Sequence, residues 1–187
     1  MTATATNIAS AASAGPFDSW LANSADSLPT VPWLTAERNA ARARVVAQGA
    51  PTSKSEGWRY TGLRTLFDQA FTPVDEPLTA LLPDDIDDVL IPDLDSIRVV
   101  LVNGHFAPAL SRLGELPKGA RIGGLRETLA QDPDALEGLL TAIAGEGRHV
   151  FASLNTAGMD DGLVLLLERG VVVERPIELI HVSIGMD

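Results

Sequence analysis

The feature that most constrains this chain is its C-terminal tract, residues 160–185, DDGLVLLLERGVVVERPIELIHVSIG. It carries the densest apolar material in the sequence and little helical periodicity. Residues 163–167 are a continuous apolar run between the turn pairs Asp161-Gly162 and Arg169-Gly170. Val171, Val172 and Val173 form a second run, and Pro176 separates it from a third at 177–184. Short β-branched runs bounded by Gly and Pro predict strands buried on at least one face. One solution is a hairpin at Arg169-Gly170, although that pair is not of the favoured Asn-Gly or Asp-Gly type. The other is a coil of short strands joined by tight corners and stacked on further coils about 4.8 Å away. That solution needs more coils, and the sequence ends at Asp187. The tract therefore reads as the opening of an architecture that is cut short.

The remaining 160 or so residues read as mostly helix, turn and linker around one hairpin. Residues 1–15, MTATATNIASAASAG, are low-complexity. They lack the basic start and apolar block of a secretory signal and the arginines of a transit peptide, and predict a solvated arm. Phe17, Trp20, Leu21 and Ser24 have helical spacing up to Pro29. Thr30 is placed to cap a second helix over 33–48, with Leu34, Ala41 and Val45 in one stripe and Arg38 and Arg42 on a separate, solvated face. Gly49 and Pro51 end that helix. At 50–67, Trp58 and Tyr60 alternate with Arg59 and would share a side if extended. They are expected to anchor the N-terminal module. With Lys54, Arg59 and Arg64 they could stack a nucleobase, but packing with a cation–π neighbour suits an acidic chain better. Thr61 can cap a turn carrying Leu63, Leu66 and Phe67.

Beyond this, residues 72–95 are rich in Pro and Asp and predict a solvated acidic linker. The cluster Asp84, Asp85, Asp87 and Asp88 has no calcium-loop spacing. Residues 97–102 predict a strand, Asn103-Gly104 a tight hairpin turn, and His105-Phe106 the return. A short strand at 120–122 and helices at 124–130, 133–144 and 149–157 complete the reading, with Asp132 as cap of the second helix and Phe151 and Leu154 facing inward.

Charge and composition exclude several functions. Lys+Arg 14 against Asp+Glu 25 gives −11, which repels nucleic acid and anionic membrane. No apolar run can span a bilayer. There is no Cys, hence no disulfide and no thiolate of the kind that holds an iron–sulfur cluster; a cytoplasmic setting is expected. His105, His149 and His181 have no ligand spacing, with His181 placed to point out of a strand. Ser153 and Ser183 have no nucleophile motif around them. The glycines Gly123-Gly124 and Gly145-Glu146-Gly147 are not followed by Gly-Lys-Ser/Thr and are not phosphate loops. No catalytic, cofactor-binding or metal residue is assigned.

A resemblance sharpens this. The run P-T-x-K-x-E-x-W-R-Y-T-x-L-x-x-L at 51–66 resembles the N-terminal signature of the SufB/SufD family, on its SufD side. The likeness continues through Val-Asn-Gly-His-Phe at 102–106, Phe-x-x-Leu-Asn at 151–155, Asp161-Gly162 and Arg175-Pro176-Ile177. Gly57 and Gly62 depart from it, standing where an acidic residue and an Asp are common. The resemblance implies a non-catalytic scaffold subunit of the iron–sulfur cluster assembly complex. Its partners would be SufB-like and SufC-like (ATPase) subunits, contacted beyond residue 187, and the cluster would be held on the assembled complex.

The expected fold is thus α+β. An arm at 1–15 precedes a mainly helical module with a small hairpin at 16–157, and the first coils of a right-handed parallel β-helix follow at 158–187. Its last strand would leave an open edge able to self-associate. Two other readings stay open: a generic interaction module unrelated to cluster assembly, and an enzyme using a β-helix surface.

Overall fold

A computed structural model describes residues 17–22, 30–69, 81–140, 142 and 149–185. The expected arm, the helix stop at Pro29, residues 72–80 of the linker and the glycines at 145–147 lie outside the described residues.

The main helix, α2 (Pro32–Gln48), follows the short α1 (Asp18–Ala22). Thr30 does not cap α2; Val31 occupies that position without a side-chain bond, and Pro32 begins the first turn. Gly49 ends the helix at φ +64°, its N–H donating to the Val45 carbonyl, a backbone state that suits glycine. The buried stripe is Leu34, Arg38, Ala41 and Val45. Spacings of four, three and four residues put Arg38 in line with the apolar positions. The expected solvated arginine face is therefore corrected. Arg38 is buried against α5 (Val150–Ala157), its Nε donating to the Ala157 carbonyl at 3.3 Å. That bond satisfies a carbonyl in the last turn of α5 and places a cation at its negative end.

α1, α2 and α5 share an aromatic core. Phe17 is buried, edge-on to Trp20, Phe67 and Phe151 with ring centroids 5.4, 5.4 and 5.7 Å apart. Such edge-to-face pairs add to the burial of the rings themselves. Residues 56–60 are not extended as expected. Glu56–Trp58 is a 3-10 turn, and α3 (Arg64–Phe67) starts after Leu63 rather than being capped by Thr61. The two aromatics separate as a result. Trp58 is half-buried on Phe151, centroids 5.1 Å apart, whereas Tyr60 is 92% exposed with Arg59 over its ring. Trp58→Ala is expected to cost about 2 kcal/mol, roughly half the value for a fully buried ring, and Tyr60→Ala less than about 0.5 kcal/mol. Urea unfolding of the two variants checks this; a Tyr60 effect as large as that of Trp58 would contradict it.

The acidic stretch is not simply a linker. Residues Pro83–Val89 wind into a 3-10 helix whose four aspartates are exposed, but Ile86 is only 2% exposed and packs under the sheet. The sheet has the order β2-β1-β5. β1 (Ile97–Val102) turns at Asn103-Gly104, both with positive φ, into β2 (His105–Phe106). This is the expected hairpin. β5 (Ile177–Val182) lies parallel to β1 on the other side, Ile97 opposite Ile177 through Val102 opposite Val182. β1 is buried on both faces, which accounts for its unbroken apolar sequence. Val100, Val102, Ile180 and Val182 close on Ile86 and Leu110.

A second, two-stranded sheet pairs β3 (Ala120–Gly124) antiparallel with β4 (Leu163–Leu167). The tract at 163–167 is a strand, as expected, but its partner is β3 rather than the next run of the tract. Val171–Val173 forms no strand; a turn closes instead from Glu168 to Val171. Val164 is buried with Leu34, Leu125 and Leu129, while Leu165 and Leu167 are 40% and 47% exposed. Leu125 and Leu129 belong to α4 (Leu125–Gln131). Within the expected helix over 133–144, Pro133–Leu136 is a 3-10 turn and residues 141, 143 and 144 lie outside the described residues; Asp132 makes no cap bond, and its carboxylate pairs with Arg121 instead. Asp132 is at φ −152°, ψ 69° and holds its carboxylate toward β3.

Candidate functional site

Two places combine polar chemistry with fold geometry: a buried charged junction beside the hairpin, and the outer side of β5.

The junction is built by Asp160 and Asp161, the residues that lead into β4. Asp161 accepts the Phe106 N–H from β2 at 3.0 Å and the Arg126 N–H from α4 at 3.1 Å. One carboxylate thus serves a strand and the first turn of a helix, where amides otherwise lack partners. His105 sits between the acids, Nε2 3.6 Å from Asp160 and Nδ1 3.8 Å from Asp161. The Arg126 guanidinium pairs with Asp160 and donates to the Asp160 carbonyl. β3 approaches so closely that a Cβ on Gly124 would lie 3.1 Å from the Phe106 Cβ. The His105 side chain is 5% exposed, so the junction ties hairpin, α4 and β4 together from inside. In the sequence Asp161-Gly162 reads only as a turn pair. The groups it joins lie 35 and 55 residues away, and no local signal marks them.

On β5, Glu178 docks the loop before β1. Its carboxylate accepts the Ile91 N–H at 2.9 Å and the Ser96 hydroxyl at 3.0 Å. Arg175 secures the same loop through Asp95 and the Ser96 carbonyl. Asn103 adds a further rung beyond the strand ends, its amide accepting from and donating to the Ile184 backbone. The bond from Ile91 holds the Glu178 carboxyl below its ordinary range, with Ser96 and nearby Arg98 acting the same way. The sign follows from linkage. A depressed acid pKa stabilises the fold above the unfolded value, near 4.5, and that contribution is lost as pH falls through the folded value. Stability of the wild type is therefore expected to fall more steeply than that of Glu178→Gln below pH about 4.5. Parallel acid-unfolding curves for the two proteins would contradict it.

The other face of β5 is open. Leu179 is 45% exposed and His181 is exposed, pointing outward as its alternation predicts, and β5 has no further strand neighbour among the described residues. The remaining sequence candidates do not converge. His149 is exposed at the start of α5, edge-on to Trp58. Lys54, Arg59 and Arg64 are exposed, Arg64 facing Asp68. Ser153 is buried inside α5 and Ser183 is exposed beyond β5. Among the described residues no three His, Asp or Glu gather where a metal ion could sit, and no helix is long and apolar enough to cross a membrane.

A family model described as "SufBD protein N-terminal region" matches residues 24–179. The chain belongs to the SufB/SufD family. The match runs from the residues before α2 to the middle of β5, so both the junction and the docked loop lie within it. The chain is 28% identical over 134 residues to an iron–sulfur cluster assembly SufBD family protein of Synechocystis, covering 72% of this chain and 29% of the relative. It is 30% identical over 143 residues to the iron–sulfur cluster assembly protein SufD of Escherichia coli, covering 76% of this chain and 30% of that protein. The chain thus spans less than a third of the length of these two relatives.

Proposed function

We propose that this chain is the N-terminal part of a SufD-like, non-catalytic scaffold subunit that works in iron–sulfur cluster assembly in the cytoplasm, with SufB-like and SufC-like partners. The observation that carries the reading is the family match across 24–179, which takes in nearly every described element. The relatives' names supply the process. The cluster is the cargo of the assembly, and this chain offers it no thiolate because it has no Cys. The structural contribution of the chain is to present β5. The in-register pairing with β1, the Glu178 and Arg175 ties and the Asn103 rung fasten that strand to the rest of the chain; on this reading its outer edge takes the next strand of a right-handed β-helix. Affinity purification of the tagged full-length protein from its source cell tests the reading. Recovery of SufB-like and SufC-like subunits is expected; recovery of an unrelated set would favour a generic interaction module.

By itself, the chain is expected to associate through β5 as salt rises. Its net charge of −11 opposes contact, and salt screens that repulsion within about 10 Å at 0.1 M. Light scattering across salt and protein concentration checks this. A monomer at high salt and high concentration would show that the edge is not adhesive.

A further inference from the structure

The lower end of the three-stranded sheet holds a row of charges that does not balance. After β2 the chain returns along β1 with a three-residue bulge. The Ser111 hydroxyl fills the gap, accepting the Val100 N–H at 2.9 Å and donating to the Ala107 carbonyl at 2.8 Å. Pairing then resumes as an isolated antiparallel bridge between Arg98 and Arg112, each N–H donating to the other's carbonyl at 3.0 and 2.9 Å. On its other side Arg98 is in register with Glu178. Residues directly opposite one another present their side chains to the same face. Arg112, Arg98 and Glu178 are therefore one row across three neighbouring segments.

Like charges placed directly opposite are destabilising in a sheet. Glu178 sets one negative charge against these two positive ones, and both its oxygens already accept bonds from Ile91 and Ser96; Arg98 acts on it only through space. The Arg98 Nε is buried with no hydrogen-bond partner. Neither guanidinium has an ion pair or side-chain hydrogen bond among the described residues. This happens in a chain with 25 acidic residues against 14 basic ones, where carboxylates are plentiful.

Two arginines directly opposite one another, neither guanidinium bonded to a protein acceptor among the described residues, fit an oxyanion. Two positive charges suit a dianionic phosphate group, which carries about −1.5 to −2 at neutral pH, better than a single carboxylate. We propose that Arg98 and Arg112 together bind a phosphate group, free or carried by a larger ligand, at the open end of the β1 row. Arg98, half-buried and set by the sheet, supplies the fixed fork. Arg112, exposed on the returning segment, supplies the adjustable one.

Thermal unfolding of the whole chain tests this in buffers of equal ionic strength containing chloride, inorganic phosphate or O-phosphoserine. Arg112 is exposed, so Arg112→Gln keeps the fold, and Arg112→Lys keeps the charge without the fork. Phosphate is expected to raise the wild-type melting temperature by a few degrees over chloride. At least half of that gain should be lost in Arg112→Gln, and a part of it in Arg112→Lys. An equal gain with O-phosphoserine identifies a carried phosphate group, and a gain with inorganic phosphate alone identifies the free anion. Phosphate also stabilises proteins generally by exclusion from their surface, which acts on all three proteins alike. Equal gains in wild type and Arg112→Gln, or no gain in the wild type, overturn the proposal.

Discussion

Replacing Asp161 by Ala is expected to lower the unfolding free energy by about 3–5 kcal/mol, the range for removing one partner from a buried charged network. The Asp161 side chain is 8% exposed. Its loss orphans the Phe106 and Arg126 amides, both of which now donate to it, and an unsatisfied buried donor costs about 1–3 kcal/mol. It also leaves His105 with only Asp160 among its two acidic neighbours, and Asp160 is shared with Arg126. Asp161→Asn keeps one acceptor oxygen and should fall between Ala and wild type. Urea midpoints at pH 7 measure the order. If Ala and Asn were both as stable as wild type, water would be serving those amides and the junction would not hold the hairpin to β4.

Leu34→Ala should cost about 2–5 kcal/mol, the range for a large-to-small change in a close-packed core. Leu34 is 1% exposed and is where α2 meets α4 and β4, through Val31, Leu125, Leu129, Leu136 and Val164. The cavity would lie between three elements that are far apart in sequence, so local collapse cannot fill it easily. Leu165→Ala is the natural contrast. It removes the same atoms from a side chain that is 40% exposed in this chain, and the cost should be well below that of Leu34. Calorimetric melting of both variants tests the pair; equal losses would mean that the outer face of β4 is covered in solution.

Much of the local structure was legible because its causes are local. α2 follows from the apolar spacing of Leu34, Ala41 and Val45 and from Gly49, and the hairpin follows from Asn103-Gly104, whose positive φ angles the turn demands. The outward position of His181 follows from strand alternation. Arg38 departs from the solvated face that its charge predicts because helical phase sets it in line with Leu34, Ala41 and Val45. Tyr60 lies away from Trp58 because a 3-10 turn at Glu56–Trp58 breaks the alternation that an extended segment would impose.

The candidate site was less legible, and the reason lies in sequence separation. The apolar runs, the turn residues, the lack of Cys and the order of the family motifs are properties of neighbouring residues or of composition, and the sequence by itself determined them. Which strand each run joins was decided only by the tertiary structure. β4 pairs with β3, about forty residues earlier, and β5 with β1, about eighty residues earlier. Apolar strands carry no partner code beyond a face to bury. The choice between partners was made by packing that spans the whole chain: Ile86 beneath one sheet, Leu34 and Leu129 behind the other. Asp161 acquired its role in the same way, because a carboxylate becomes a tie only when a distant strand and helix bring it their unpaired amides.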